Sequence, residues 1–198
     1  ETDVKMKNVK GIVMWSPVPV EDQSIVACFS NCPWGTNVNV KEKLEKITVI
    51  ETKLDNDANI IALGEAKYGA AKGSKSSVTV ALGTGIGGGI YVNGMLISGF
   101  NGAGGEIGHM KIVKVGRVCG CGQKGCFEAY ASATGLIREA VSRLTVNKQN
   151  LLYTMIEGNI AGLEAKDIFD AAKEGDAFSL DLVDYEAEYL AMGIANIL

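Results

Sequence analysis

The sequence lacks a long apolar run and a cluster of basic residues, and it contains a single histidine. No uninterrupted apolar stretch approaches the ~20 residues that a membrane-spanning helix needs, and the N-terminal residues ETDVKMKNVK are too polar for a signal peptide. The formal net charge is -4, whereas surfaces that bind nucleic acids usually carry a basic stripe. We therefore expect a cytoplasmic protein that binds neither a membrane nor a nucleic acid.

The composition predicts a globular protein with a sizeable core. The 198 residues are 47% hydrophobic and 21% charged, which excludes extended disorder and suits one or two domains. Neither an internal repeat nor a low-complexity linker marks a domain boundary. The chain starts with glutamate and stops inside an apolar helical pattern, so we expect it to be a piece excised from a longer protein.

Apolar runs and their periodicity predict a mixture of strands and helices, which indicates an α/β architecture. We predict strands over residues 9–15, 25–29, 47–54, 78–82 and 90–92. We predict helices over residues 40–46, from Asp57 to the stop signal Gly69, and over residues 127–144, 165–173 and 176–198. Residues 147–162 form the least regular connection. Asp57 follows a predicted strand and begins a helix, where an acid can also be an ordinary helix cap.

Four side chains have the spacing of a tetrahedral zinc site: His109, Cys119, Cys121 and Cys126. Nine residues separate the histidine from the first cysteine, one separates the first two cysteines, and four separate the last two. Four protein ligands leave no open position for an activated water, so the zinc would be structural. Gly120, Gly122 and Gly125 favour this interpretation, because glycine reaches the backbone conformations that turn three thiolates toward one point. The alternative is a loop with free thiols and a histidine that forms ordinary hydrogen bonds within the protein.

The remaining cysteines, Cys28 and Cys32, have a C-x3-C spacing that a second metal or a disulfide would also show. A strand end followed by a turn explains both of them. Two acids flank the metal motif instead: Glu106 precedes the histidine by three residues, and Glu128 follows the last cysteine by two. Ordering the metal loop would also fix these carboxylates, and fixed carboxylates can bind a polyhydroxy ligand.

Residues 83–89, GTGIGGG, follow a predicted strand and lead into another, so we predict a glycine turn between two strands. Glycine lets the backbone approach another group closely, and Thr84 adds a hydroxyl, which together suit a phosphate cradle. The Gly-Lys-Ser/Thr ending of the Walker motif is absent, and no helix follows the glycines as in the dinucleotide fingerprint. These two nucleotide-binding folds are therefore excluded.

Three blocks now stand in order along the chain: LDNDANIIALGE, LGTGIGGGIYVNG, and GAGGEIGHM with CGCGQKGCFEAYAS. Together they resemble the ROK family, the bacterial sugar kinases and sugar-responsive repressors of the actin-like ATPase (ribonuclease H-like) fold, and most closely its glucokinases. Residues 30–46 look like the family's substrate loop, so the resemblance covers nearly the whole chain. It implies that residues 1–198 are the central part of a ROK kinase, with a sugar-binding, zinc-containing region and the second phosphate motif.

The resemblance also implies roles for individual residues. Asp57 would be the catalytic base. The candidate sugar ligands are Asn31, Asn56, Glu106, His109 and Glu128, and the nucleotide phosphate-binding residues are Gly83, Thr84, Gly85, Gly87 and Gly88. The implied zinc ligands are His109, Cys119, Cys121 and Cys126. ATP with Mg²⁺ would be the second substrate, and the family suggests a homo-oligomer, a dimer or a tetramer.

The chain departs from the family pattern in three places. The family's first phosphate motif, an Asp-x-Gly-Gly-Thr hairpin, is absent, and the glycine-rich adenosine segment is expected beyond Leu198. Where the family usually has a G-x-P-G-P loop, residues 15–19 read Trp-Ser-Pro-Val-Pro. We therefore expect the nucleotide site to be incomplete in this chain and the chain alone to have little or no kinase activity.

The leading hypothesis is that the full-length protein phosphorylates glucose to glucose 6-phosphate with ATP, because phosphoryl transfer to a hydroxyl needs a positioned carboxylate and phosphate-binding amides. A sugar-responsive ROK repressor is the first alternative, in which zinc and sugar binding serve a switch. A kinase for mannose, fructose, allose or N-acetylmannosamine is the second. A structural zinc protein without catalysis is the third.

Overall fold

The computed structural model describes residues 8–16, 20–21, 24–28 and 36–198. The chain divides into two compact units, the first comprising Glu1–Ala81 and Gly88–Glu106, and the second Leu82–Gly87 and Ile107–Leu198. Because each unit contains two stretches of the chain, the chain passes from one unit to the other three times. Three features of the sequence analysis lie outside the described residues: the predicted sugar ligand Asn31, the cysteine Cys32 and residues 17–19.

Two small sheets belong to the first unit. Strand β1 (Ile12–Ser16) pairs in parallel with β5 (Thr52–Asn56), in the register Ile12 with Thr52 through Ser16 with Asn56. Strands β2 (Val20–Glu21), β3 (Ile25–Cys28) and β4 (Thr36–Asn39) form an antiparallel sheet in that order. A shared core lies against them, formed by Val20, Val26, Val40 and Leu54.

Helix α1 (Val40–Thr48) extends further than its sequence pattern predicts. The strand expected from residue 47 begins only at Thr52, so that boundary is wrong. Thr48 donates its hydroxyl to the carbonyl of Leu44 at 2.8 Å, and Val49 ends the helix in the left-handed region with φ of 58°. Local hydrogen bonding thus continues the helix through β-branched residues, although such residues are enriched in strands.

The third sheet has the order β6 (Ser76–Leu82), β7 (Ile86–Val92) and β8 (Met95–Leu96). The predicted turn over residues 83–89 is therefore too long, because three of its glycines lie inside β7. Gly89 lies against helix α2 (Asp57–Tyr68), where an added Cβ would be 2.2 Å from the Ala62 Cβ and 2.8 Å from the Ala58 carbonyl oxygen. This glycine therefore allows strand and helix to pack closely.

Helices dominate the second unit. Its α-helices are α3 (Glu128–Ala131), α4 (Ala133–Leu144), α5 (Leu151–Met155), α6 (Ala165–Lys173) and α7 (Ala177–Ala195), with 3-10 helices at Ile107–His109 and Ile160–Gly162. The single helix predicted over 127–144 is broken at Ser132, whose extended backbone and side-chain oxygen cap α4 by accepting from Gly135 N at 3.1 Å. Residues 147–162, expected to be irregular, contain α5.

The core of the second unit lies among α4, α5, α6 and α7. Its buried members come from all four helices and the segment between α5 and α6: Leu136, Ala140, Leu144, Leu152, Leu163, Ile168, Ala171 and Leu182. Among the helices of the described residues, none combines the length and the apolar composition that crossing a membrane requires.

Candidate active site and metal centre

The four predicted zinc ligands converge in the second unit. The ligand atoms of His109, Cys119, Cys121 and Cys126 all lie within 4.8 Å of one another. The Cys119 Sγ is 3.6 Å from the His109 Nδ1, and the Cys121 and Cys126 sulfurs are 3.7 Å apart. Zinc–ligand bonds of normal length in a tetrahedron would place neighbouring ligand atoms about 3.5–3.8 Å apart. The residues present therefore fit a zinc ion with a small closure of the loop.

The loop backbone explains how the thiols converge. Antiparallel bridges join Lys111 to Cys126 and Val118 to Lys124, so the segment that carries the thiols folds back on itself. Gly125 has φ of +81°, and a Cβ there would lie 1.8 Å from the Val113 carbonyl oxygen. Gly120 has an ordinary φ, and an added Cβ there would have no described atom within 4 Å. The expectation that Gly120 is needed for the turn is therefore wrong.

The thiols differ in their readiness to ionise. Burial, with a hydrogen bond to Glu128, raises the pKa of Cys119, and burial with a hydrogen bond to Cys121 raises that of Cys126. Burial also acts to raise the pKa of Cys121, but hydrogen bonds with the Gln123 backbone and the other two thiols lower it on balance. Zinc binds thiolates, so its entry would displace the protons of Cys119 and Cys126.

Glu128, the first residue of α3, lies beside the metal ligands. Its Oε1 accepts from the Cys119 thiol at 3.0 Å and is 3.5 Å from the His109 Nδ1. Its Oε2 accepts from the Ile86 amide at 3.4 Å, and an added Cβ on Gly85 would lie 2.6 Å from the same oxygen. The structure thus brings together two predicted sugar ligands and one predicted phosphate-binding glycine within the second unit.

The glycine hairpin between β6 and β7 is short. The Gly83 amide donates to the Gly85 carbonyl at 3.0 Å, and the Gly83 carbonyl accepts from the Ala133 amide at 3.1 Å. Thr84 is exposed at the tip. The other two predicted phosphate-binding residues, Gly87 and Gly88, lie in β7. The exposed part of the predicted cradle is therefore confined to the hairpin tip.

Asn56, rather than Asp57, caps α2. The Asn56 Oδ1 accepts from the amides of Ala58 at 2.9 Å and Asn59 at 3.3 Å. Asp57, the first helical residue, accepts from the Ala58 amide through its Oδ1 at 2.8 Å. Within the described part of the chain its second carboxylate oxygen has no hydrogen-bond partner. The capping interpretation therefore does not account for Asp57, whose second oxygen is available to a ligand.

Glu106, the last residue of the first unit, follows a tightly packed glycine. An added Cβ on Gly105 would lie 2.3 Å from the Gly88 carbonyl oxygen and 3.3 Å from the Asn59 Oδ1. The Glu106 side chain is half-buried, and its amide donates to the Ala103 carbonyl at 3.3 Å. Asn56, Asp57 and Glu106 thus belong to the first unit, whereas the predicted zinc ligands and Glu128 belong to the second.

Sequence reasoning missed two residues that order this region. Asn59 is 3% exposed and donates to the Asp55 Oδ1 at 2.8 Å, and its own Oδ1 has no partner among the described residues. The polar Asp-x-x-x-Asn spacing at the start of an apolar helix was the available signal. Arg117, in the loop that carries the thiols, contacts both α3 and α4, and the residues around it in sequence carry no comparable signal.

The chain matches the ROK family over residues 1–198. It is similar to a glucokinase from Halalkalibacterium halodurans, with 42% identity over 189 residues that make up 94% of this chain and 57% of that protein. It is also similar to a xylose repressor from Bacillus subtilis, with 33% identity over 95% of this chain and 44% of the repressor. The chain thus spans about half the length of these relatives.

The fold is also found among solved structures. A ROK family glucokinase from Streptomyces griseus, in complex with glucose and AMPPNP, superimposes with a TM-score of 0.85 at 33% sequence identity. The match covers 96% of this chain and 62% of that chain. The mixed helices and sheets described above are therefore those of the ROK kinase fold.

Proposed function

The chain belongs to the ROK family, and from this premise we propose that the full-length protein transfers the terminal phosphoryl group of ATP to glucose. The observation that carries the proposal is the carboxylate of Asp57, held at the start of α2 with one oxygen bound to the Ala58 amide and the other without a partner in the described residues. The 42% identity to a glucokinase supports glucose as the substrate.

In the proposed reaction, Asp57 accepts the proton of the sugar hydroxyl as that oxygen attacks the γ-phosphorus. The bond between the γ-phosphorus and the bridging oxygen breaks, and ADP leaves with the bonding electrons. Such a transfer requires positioning and charge stabilisation more than covalent help from the protein. Asn56 supports the base, because its side chain fixes the first turn of α2 from which Asp57 projects.

The sugar hydroxyls are assigned to the acids, amides and histidine that the family resemblance implies: Asn31, Asn56, Glu106, His109 and Glu128. His109 and the three cysteines would hold zinc. The zinc would stabilise the loop without taking part in the reaction, since four protein ligands complete its coordination. Carboxylates such as Glu106 and Glu128 accept hydrogen bonds from sugar hydroxyls, and these charge-assisted bonds are stronger than neutral ones.

The nucleotide phosphates are assigned to the exposed hairpin tip at Gly83, Thr84 and Gly85, with Gly87 and Gly88 of β7 supporting the tip. Amides and the Thr84 hydroxyl at the tip would offset phosphate charge, and Mg²⁺ supplied with ATP would offset charge on the β- and γ-phosphates. We further propose that the full-length protein acts as a homo-oligomer, a dimer or a tetramer. Analytical ultracentrifugation tests this part.

Substitution of the base tests the assignment. We expect Asp57→Asn in the full-length protein to lower kcat for glucose phosphorylation by about 100-fold or more, the usual contribution of a general base. Glucose affinity should change little, because the amide still forms hydrogen bonds. Glu51→Gln, an exposed acid of the same unit, is the control and should keep full activity. Undiminished kcat in Asp57→Asn would exclude Asp57 as the base.

A sugar-responsive repressor is the second candidate, and the 33% identity to a xylose repressor favours it. In that case the sugar and zinc sites would serve a switch, and Asp57 would bind sugar without deprotonating it. Full-length protein that binds operator DNA in a sugar-dependent way, and that transfers no phosphate to any hexose, would support the repressor. A panel of glucose, mannose, fructose, allose and N-acetylmannosamine separates the kinase specificities.

A further inference from the structure

Arg117 joins the metal loop to the helices beside it. Its backbone amide donates to the Tyr130 hydroxyl at 2.7 Å, and its Nη1 donates to the carbonyls of Ala129 and Gly135, each at 3.3 Å. Its Nη2 forms an ion pair with the Glu139 carboxylate. One residue therefore connects the loop to both α3 and α4.

The guanidinium of Arg117 also lies between two aromatic rings. Its Cζ is 5.0 Å from the ring centroid of Tyr130 and 5.5 Å from that of Tyr185 in α7. The Tyr130 ring stacks in turn on Tyr189, with centroids 4.5 Å apart. The Arg117 side chain is 19% exposed, and cation–π contacts strengthen as they are desolvated. These rings hold the guanidinium in place from two directions.

The backbone of Arg117 reaches the far end of the same loop. Its carbonyl accepts from the Gly125 amide at 2.9 Å, and Gly125 directly precedes the ligand Cys126. Two residues after Arg117 comes Cys119, whose amide donates to the Gln123 carbonyl at 2.8 Å. Arg117 therefore lies two residues before the first thiol and is hydrogen-bonded to the residue that precedes the last one.

We propose that Arg117 is a positioning residue that arranges the zinc ligands before the metal binds. Three thiolates on one short loop repel one another, and ordering them costs conformational entropy. A loop already fixed by Arg117 has less of this entropy to lose, so zinc binds more tightly. Because Arg117 is also bonded to the helix that begins with Glu128, it fixes that carboxylate relative to the metal. This last step rests on the proposed sugar-binding role of Glu128.

The geometry requires arginine rather than any cation. The planar guanidinium reaches two carbonyls and a carboxylate at once while stacking between the tyrosine rings, and a lysine ammonium has no planar fork to do so. We therefore expect Arg117→Lys to weaken zinc binding although it keeps the charge. The matched control is Arg143→Gln, because Arg143 also binds Glu139 and lies 5.3 Å from the Tyr185 ring.

The test measures zinc directly, by competition with a chromogenic chelator and by the rate of zinc release. We expect Arg117→Lys to weaken zinc binding by about 10-fold or more, as substitutions around metal ligands usually do, and Arg143→Gln to leave it unchanged. Equal effects of the two variants, or no effect of Arg117→Lys, would overturn the inference. If Arg117→Lys does not fold, Tyr130→Phe removes only the hydroxyl that accepts the Arg117 amide and must weaken zinc binding as well.

The consequence for sugar is read separately in the full-length protein. We expect Arg117→Lys to raise KM for glucose while kcat stays near its original value, because the base Asp57 is untouched. If the original protein neither binds nor phosphorylates glucose, the proposed function fails while the zinc result still decides the role of Arg117. If zinc binding weakens and KM does not change, the link from Arg117 to Glu128 is wrong and the zinc part stands.

Discussion

The carboxylate of Glu128 occupies the space that a side chain on Gly85 would need. An added Cβ at residue 85 would lie 2.6 Å from the Glu128 Oε2. The other oxygen of the same carboxylate accepts from the Cys119 thiol at 3.0 Å. Because Gly85 has no side chain, one acid can contact both the hairpin and a predicted zinc ligand.

Gly85→Ala should therefore displace Glu128 without unfolding the chain, because the atom in the way is the end of a flexible side chain. If Glu128 binds a sugar hydroxyl, losing that charged hydrogen bond costs about 1.5–3 kcal/mol, or about 10- to 100-fold in glucose affinity. Isothermal titration with glucose measures the change. Gly83→Ala is the control, because no described atom lies within 4 Å of the added Cβ. Equal glucose affinities for the two variants would contradict the role of Glu128.

Zinc binding should tighten as pH rises. The pKa values of Cys119 and Cys126 are raised by burial, so both thiols carry protons at neutral pH and zinc must displace them. We expect the release of at least two protons per zinc ion, and hence weaker binding on acidification. Calorimetry in buffers of different ionisation enthalpy counts these protons. Affinity that does not vary between about pH 6 and pH 8 would show that the thiols are already ionised.

Removing the metal should loosen the segment that carries the thiols, beyond the point where Arg117 fixes it, and free the Glu128 carboxylate to move. A chelator is expected to increase amide exchange over residues 119–126, while Arg117 and the core around Leu136 and Leu144 stay protected. Glucose binding should be lost at the same time and return when zinc is added. Glucose binding that persists in the zinc-free chain would separate the metal from the sugar site.

Local sequence signals predicted some elements well and failed at others for identifiable reasons. Helix α6 matches its predicted bounds, because its amphipathic pattern has a clear start and ends before Gly175. At the start, the Asp167 carboxylate accepts from the Glu164 amide at 2.9 Å. The glycines of β7 were mistaken for a turn, because Gly89 serves close packing on Ala62. That contact joins distant segments, and no local pattern records it.

The candidate site divides in the same way. The cluster of His109, Cys119, Cys121 and Cys126 could be predicted from its spacing, and its ligand atoms do lie within 4.8 Å of one another. That the cluster binds zinc stays a prediction. The role proposed for Arg117 could not be predicted, because its partner Glu139 lies 22 residues later and the tyrosine rings that it contacts belong to different helices. The roles of Asp57 in proton transfer and of the hairpin in phosphate binding remain predictions.

Two glycine-to-alanine changes in helices should have opposite effects on stability. An added Cβ on Gly193 in α7 would lie 2.2 Å from the Cζ of the fully buried Phe127, so Gly193→Ala should destabilise the chain by about 1–3 kcal/mol through overpacking. Gly64 in α2 has open space around its Cβ position among the described residues. Gly64→Ala should stabilise by about 0.5–1 kcal/mol through helix propensity. Denaturant unfolding measures both, and equal signs would contradict the packing argument.

The pair formed by half-buried Asp55 and buried Asn59 should be sensitive to charge. Asn59 donates its amide to the Asp55 Oδ1 at 2.8 Å, so Asn59→Asp would replace that donor with a second carboxylate in a site that is 3% exposed. At neutral pH the two negative charges repel, and stability should fall by about 3 kcal/mol or more. Asn59→Leu removes the donor without adding a charge and should therefore cost less stability than Asn59→Asp. Equal losses for the two variants, measured by denaturant unfolding at neutral pH, would show that Asp55 and residue 59 do not interact as described.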